Sequence, residues 1–371
     1  MRRWFVPKVF FACPYAIVFA EVFLRALWPV PVVPRYVTAG TFGIRVNEPD
    51  RQYWHTSADF KIQIRTNSKG IRADEEIPYE KAPGLQRIVV LGDSFAMGYE
   101  VNLEDTFLTR MESRLRAAGL NVQVVNLAVS GHGNAEELLM LQHEGLKYQP
   151  DLVLLCWHRS DLTDNVRSGL FELKDGRLTA KNPTYLPGVE IQHKLYRIPG
   201  YDWVQAHSNL YAFLREWISW NVAKPVLLAL QSKSAGTAGG ADPDAAAGPD
   251  DEYAGRLTIA LLNEIQRVSS EAGAQFLVMD IPGQSDNVEF RSILPADGQG
   301  GHYGLPVVNL LEPLRAKAGQ PLYWLRSQGH FTPLGCRIAG DCLAKHILDH
   351  HLLGKGTEAR RPGDSTPATH R

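Results

Sequence analysis

The sequence predicts a three-layer α/β domain on a parallel sheet of about five strands, and three observations predict it. From residue 87 onward, largely apolar strand segments (Ile88–Leu91, Val122–Leu127, Leu152–Leu155, Phe276–Met279, Val307–Val308) alternate with segments whose apolar residues recur at helical spacing. The runs lack the polar alternation of a half-exposed strand, so helices cover both faces of the sheet. Three of the runs end in Gly-rich or polar residues, the composition of a ligand crevice at the carboxyl edge of such a sheet.

Taken from the start, Arg2, Arg3 and Lys8 precede an apolar run from Val9 to Ala20, followed by Glu21 and Arg25 one turn apart. Basic residues before an apolar segment favour translocation of the chain beyond it. Residues 1–28 are therefore expected to be a transmembrane helix or a signal segment, with Val18-Phe19-Ala20 as a cleavage candidate. Pro29, Pro31 and Pro34 read as a stiff spacer opening an N-terminal extension over residues 29–85. Within it, Phe60, Ile62 and Ile64 alternate with Lys61, Gln63 and Arg65, the period of a half-buried strand, closed by the turn Asn67–Gly70.

The main domain is expected over residues 86–352. Phe107, Met111 and Leu115 mark its first helix, and Leu138, Leu139 and Leu146 its second. A long insert at 166–252 then interrupts the alternation. It holds an aromatic helix (Leu210, Phe213, Leu214, Trp217, Ile218), whose spacing favours core over a sugar-binding groove. Residues 232–252 are rich in Ser, Gly, Ala and Pro and are expected to be disordered, as is the tail from 353 to 371. Leu257, Leu261, Ile265 and Val268 resume the helical pattern, and Leu334, Ile338, Cys342 and Ile347 mark the last helix.

Composition narrows the function. Of 371 residues, 39 are Lys or Arg and 40 are Asp or Glu, so the net charge of −1 gives no electrostatic case for nucleic acid. Cys13, Cys156, Cys336 and Cys342 show no CxxC or Cys/His ligand spacing, so neither a metal site nor a disulfide framework is expected, and no cofactor is implied. No Gly-rich phosphate loop with a following acidic ribose ligand is present, which sets a nucleotide binder aside.

The three strand ends are Gly92-Asp93-Ser94-Phe95, Ser130-Gly131-His132-Gly133 and His158-Arg159-Ser160-Asp161, and His330 precedes the final helix. A serine at a strand end exposes its hydroxyl but needs a base, usually His, to accept its proton. Acyl transfer also needs donors where the oxyanion develops, and the N–H groups of Ser94 and Gly131 with the Ser160 side chain are the candidates. Ser94 is the candidate nucleophile and His330 the candidate base; His132 and His158 are weaker candidates for that role. The segment Gly92–Ala96 is not GxSxG, so it is not the nucleophile elbow of α/β-hydrolases.

These blocks resemble the SGNH/GDSL hydrolase superfamily. Val90–Phe95 is similar to its nucleophile block, Asn126–Gly131 to the block whose glycine is an oxyanion donor, Pro150–Val153 to the approach to the third block, and Gly329–Pro333 with Gly335 to the histidine block. The resemblance spans about residues 60 to 350. It implies a flavodoxin-like fold, a serine ester hydrolase acting on acyl or acetyl groups, and no cofactor. The turn Asn67–Arg72 and the Glu21/Arg25 helix resemble a bacterial membrane-anchored branch associated with envelope polysaccharides, which implies an inner-membrane protein with its domain in the periplasm or outside the cell. Two positions depart from the pattern: Ser160 stands where an Asn donates to the oxyanion, and Ser327 and Gln328 stand where an Asp precedes the His. The ring of His330 then needs another orienting group, a backbone carbonyl or an acid from elsewhere, with Asp161 and Asp164 as candidates. The sequence supports two readings. One is an esterase or acyltransferase on an acylated carbohydrate or small ester; the other is a catalytically silent relative that binds glycan or scaffolds an envelope complex.

Overall fold

The computed structural model describes residues 5–218, 221, 249–284, 290–296 and 301–354. In chain order the elements are helix α1 (Phe5–Leu27), strands β1 (Val37–Ala39), β2 (Arg45–Asn47), β3 (Gln52–Thr56), β4 (Lys61–Arg65) and β5 (Gln86–Gly92), helices α2 (Ser94–Met97) and α3 (Phe107–Ala117), and strand β6 (Val122–Asn126). Next come helix α4 (Asn134–His143), strand β7 (Leu152–His158), helix α5 (Ser160–Ser168), strands β8 (Phe171–Lys174) and β9 (Arg177–Ala180) and helices α6 (Pro187–Tyr196), α7 (Tyr201–His207), α8 (Asn209–Ile218) and α9 (Pro249–Glu271). Strands β10 (Gln275–Ile281), β11 (Gly283–Gln284), β12 (Phe290–Arg291) and β13 (Val307–Asn309) and helices α10 (Leu311–Arg315) and α11 (Pro333–Asp349) complete the chain.

The five expected strands form one parallel sheet in the order β13-β10-β7-β5-β6. Successive side chains of a strand point to opposite faces, so each apolar run feeds two cores. Ile88, Val90, Leu154 and Met279 pack with Phe107, Met111, Leu343 and Ile347 of α3 and α11. Val89, Leu91, Leu155 and Val278 pack with Leu138, Leu141, Leu257 and Ile265 of α4 and α9 on the other face. Each buried Leu or Ile contributes about 1.5–3 kcal/mol, which is why the central strands β5, β7 and β10 are apolar along these runs, while the edge strand β6 admits Gln123 and Asn126.

The N-terminal extension is two antiparallel hairpins, β1–β2 and β3–β4. The strand expected around Ile62 and Ile64 is β4, and both residues are buried. Pro29–Arg35 is not a free spacer. Val32 exchanges backbone hydrogen bonds with Thr56 (2.7 and 2.9 Å), and Val33 is buried.

The N-terminal segment departs from the expected membrane span: no helix among the described residues is long and apolar enough to cross a membrane. The charges within α1 explain part of this, because they engage the insert. Glu21 accepts hydrogen bonds from Ser208 Oγ (2.8 Å) and from the N–H groups of Asn209 (3.0 Å) and Leu210 (2.8 Å), capping α8. Arg25 bonds Glu21 and the carbonyl of His207. The aromatic helix α8 is likewise not core: Phe213, Leu214, Trp217 and Ile218 are exposed and only Ala212 is buried. Of the stretch expected to be disordered, 249–252 forms the first turn of α9 and the rest lies outside the described residues. Leu353 is buried, so the domain runs past the expected limit at 352; residues 355–371 lie outside the description. Cys156, Cys336 and Cys342 are free thiols, and no metal-binding cluster occurs among the described residues.

Candidate active site

Three neighbouring strands deliver the site. Gly92 of β5 lies opposite Cys156 of β7, and Val129, beyond β6, hydrogen-bonds Gly92 O at 3.1 Å. The three polar strand ends therefore share one edge of the sheet, as their sequence placement predicted. Asp93 caps the single turn α2 by accepting from the N–H of Phe95 at 2.8 Å, which places half-buried Ser94 at its first position. Gly131 takes φ +79°, a left-handed conformation that suits glycine. Among the described residues, the N–H groups of Ser94 and Gly131 have no hydrogen-bond partner, which leaves both free to meet an oxyanion.

His330 arrives from the loop before α11. That loop is fixed by Trp324 N–H to His330 O (2.9 Å) and Thr332 N–H to Leu322 O (2.9 Å), and Thr332 caps α11. The His330 Nε2 lies 2.7 Å from Ser94 Oγ. Ser94 and His330, far apart in sequence, thus stand at the hydrogen-bond distance that a nucleophile–base pair requires. Neither His132 nor His158 holds that position. The ring of His132 is buried with Nε2 2.9 Å from Arg45 O, and burial pushes its pKa down to about 3.

The carboxylate beside the other ring nitrogen of His330 is Glu100, the candidate orienting acid that sequence reasoning missed. Its Oε2 lies 3.1 Å from His330 Nδ1, at ion-pair distance though off the line of an N–H at that nitrogen. Glu100 also accepts from the N–H groups of Gln328 (3.1 Å) and His330 (3.2 Å) and from the hydroxyl of Ser327. The residues at the usual aspartate position therefore donate to a carboxylate supplied by another loop. Burial opposes the ionisation of Glu100, but His330, Ser327 and Gln328 outweigh it and hold the carboxyl below its ordinary value. The only sequence signal was an acid between two apolar residues, Tyr99 and Val101, six positions past the nucleophile.

Asp161, the expected acid, is placed elsewhere. Its Oδ2 accepts from Asn134 Nδ2 (3.2 Å) and the N–H of His158 (3.2 Å). It lies in the first turn of α5, buried near Glu137 and Asp93. Asp164 is paired with Arg167 at 2.6 Å. Ser160 lies at the site, but its hydroxyl is occupied: Oγ is 2.9 Å from His158 Nδ1 and donates to Asp93 Oδ2 at 3.4 Å. Burial, with the charges of His330 and Arg159, lowers the His158 pKa to about 3 and keeps the ring neutral.

The N-terminal extension also reaches the site. Asn47 Nδ2 donates to Ala128 O at 3.1 Å, and Arg45 donates to Gly131 O, fixing the loop that carries the second oxyanion donor.

Fold and site together define an α/β protein with a Ser–His–Glu constellation at the carboxyl edge of its sheet. No family model and no curated protein matches the sequence. Solved structures do match. TesA is 13% identical, with a TM-score of 0.36 over 72% of this chain and 100% of its own. A lipase/acylhydrolase from Enterococcus faecalis is 13% identical, TM-score 0.34, over 71% of this chain and 96% of its own. The acetyl xylan esterase AlAXEase is 13% identical, TM-score 0.35, over 70% and 99%. Others are GDSL-type lipolytic proteins, the family that the sequence blocks resemble. At these identities and TM-scores the matches carry no argument about activity, and the chemistry rests on the site.

Proposed function

We propose that this chain is a serine ester hydrolase or acyltransferase of the SGNH/GDSL type. One observation carries the proposal: Ser94 Oγ lies 2.7 Å from His330 Nε2, while the opposite ring nitrogen lies 3.1 Å from buried Glu100. In this reading Ser94 Oγ attacks the ester carbonyl as its proton passes to His330 Nε2. The imidazolium then faces the Glu100 carboxylate, and the oxyanion faces the free N–H groups of Ser94 and Gly131. Collapse breaks the bond to the leaving alkoxide, which takes the proton from Nε2 and departs as alcohol. Water, or an acceptor hydroxyl, next attacks the acyl-serine with its proton going to His330, and Ser94 is regenerated.

The substrate class we propose is an acyl or acetyl ester of a cell-envelope or extracellular polysaccharide, in a bacterial envelope protein with its domain outside the cytoplasm. The sequence of α1 supports that location: basic residues lead into an apolar run, and Tyr15, Ile17, Val18, Phe19, Val22 and Phe23 are exposed. An exposed helix that is apolar around most of its circumference needs an apolar partner, and lipid at a membrane surface would be one. The silent glycan-binding alternative rests on two missing groups, and Glu100 removes one of them.

Fluorophosphonate labelling and aryl-acetate turnover of the wild type, Ser94→Ala and His330→Ala test the chemistry. Both signals should be present in the wild type and abolished by either substitution. A folded wild type that neither labels nor turns over would hand the case to the silent alternative.

A further inference from the structure

The turn Asn67–Arg72, conspicuous in the sequence, contributes no residue to the Ser–His–Glu set. Asn67 Oδ1 accepts from the N–H groups of Lys69 and Ile71, both at 3.0 Å, and its Nδ2 donates to Glu75 O at 3.1 Å. A turn closed in this way aims the following Arg72 inward, where it is 4% exposed. Its Nη1 donates to Met97 O (2.9 Å) and Gly98 O, and its Nη2 to Val101 O (2.7 Å). The two carbonyls between are also held. Tyr99 O lies 2.6 Å from His55 Nδ1, and Glu100 O accepts from Trp324 Nε1 at 3.1 Å. All five carbonyls from Met97 to Val101 are thus bound by side chains from outside the segment. Gly98 permits the approach: its φ is +72°, and a Cβ there would lie 2.7 Å from Arg72 Nη1.

This segment carries Glu100. A loop has no ladder of its own to hold it, yet catalytic geometry must be kept within about 0.5 Å. We propose that Arg72, assisted by His55, is a positioning residue for the catalytic acid: the N-terminal extension is a frame that holds residues 97–101 so that Glu100 meets His330 Nδ1. The inference rests on the Ser–His–Glu reading of the site. Arg72 acts on the reaction only through Glu100. The forked guanidinium matters because one planar group reaches three carbonyls, which a lysine ammonium on a single stem does not reproduce.

The test uses the full chain as wild type, Arg72→Met, Arg72→Lys, Glu100→Gln and Ser94→Ala, with thermal unfolding to establish that each is folded. Two readouts are followed: kcat and KM on an aryl acetate, and the downfield proton resonance of a His330 Nδ1–H bonded to a carboxylate. The resonance should be present in the wild type and Ser94→Ala and absent in Glu100→Gln. Arg72→Met should lose or broaden it and lower kcat about 10- to 100-fold, the scale of an ångström's misplacement, with KM within about twofold of wild type; Arg72→Lys should fall between. A folded Arg72→Met that keeps both the resonance and its kcat overturns the proposal, as does a folded wild type without the resonance. Should Arg72→Met fail to fold, Arg72→Lys and His55→Ala are judged by the same criteria. A wild type that neither turns over nor labels would sink the esterase reading, while the resonance would still decide the positioning.

Discussion

Glu100 sits six residues beyond the nucleophile, whereas the family pattern places the acid two or three residues before the histidine. The exchange is reciprocal, because Ser327 and Gln328, at the usual acid position, now donate to Glu100. A carboxylate at this place fixes the imidazole and stabilises the imidazolium formed during attack. Replacing it by a neutral amide should therefore leave substrate binding nearly intact and lower kcat by about 10⁴-fold, the scale for comparable acids. Steady-state kinetics of Glu100→Gln measure this, and a kcat within tenfold of wild type would remove Glu100 from the machinery. Sequence reasoning singled out Ser94, Gly131 and His330 because each lies at a strand end or helix start marked by local pattern. It missed Glu100 because that role exists only through a contact across 230 positions. It proposed Asp161 because nothing local tells on which side of the sheet edge the first turn of α5 places a carboxylate.

Among the elements, the central strands were legible because full burial demands uninterrupted apolar runs, and that demand is written locally; the edge strand β6, with Gln123 and Asn126, was legible from its place in the alternation. The N-terminal elements were less so. Glu21 and Arg25 in an apolar helix have the same appearance whether they meet a membrane interface or, as here, the start of α8. Likewise, three prolines suggest a spacer, yet Val32 and Val33 are packed against the extension. These two findings divide the N-terminus at about residue 28. If lipid is the partner of α1, as proposed, a chain lacking residues 1–28 should keep its labelling by fluorophosphonate and leave the membrane fraction for the soluble one. Removing residues 1–34 should in addition destabilise the protein by a few kcal/mol, since burial of each valine is worth about 1.5–3 kcal/mol. Cell fractionation and thermal unfolding of the two truncations check this. A soluble full-length chain would argue against lipid as the partner of α1, and equal stability of the truncations would mean that Val32 and Val33 hold nothing together.

For the molecule as a whole, the groups buried beneath the site set the dependence of stability on pH. Burial pushes Asp93 up to about 6, Glu136 to about 7 and Glu137 to about 8, and raises Asp161 as well. These carboxyls hold protons in the folded chain that the unfolded chain gives up near pH 4, so each subtracts stability as pH rises from about 4 through its folded value. The buried histidines act oppositely. Burial lowers His55 to about 4 and His132 and His158 to about 3. The folded state therefore binds fewer of their protons, and their contribution rises from about pH 3 to 6.5 and is then complete. Below pH 6.5 the two sets oppose each other; above it these histidines no longer titrate while the carboxyls still do, and the thiols of Cys156, Cys336 and Cys342, also raised by burial, act in the same direction, so stability falls. Between pH 6.5 and 8.5 the loss should lower Tm by several degrees, because each tenfold change in a protonation equilibrium is worth about 1.4 kcal/mol. Glu137→Gln, whose amide oxygen can still accept from Asn134, should flatten part of that slope because it has no proton to lose. Calorimetric scans across this range measure both effects, and a Tm that stays level or climbs from pH 6.5 to 8.5 would show that these carboxyls are already ionised in the folded protein.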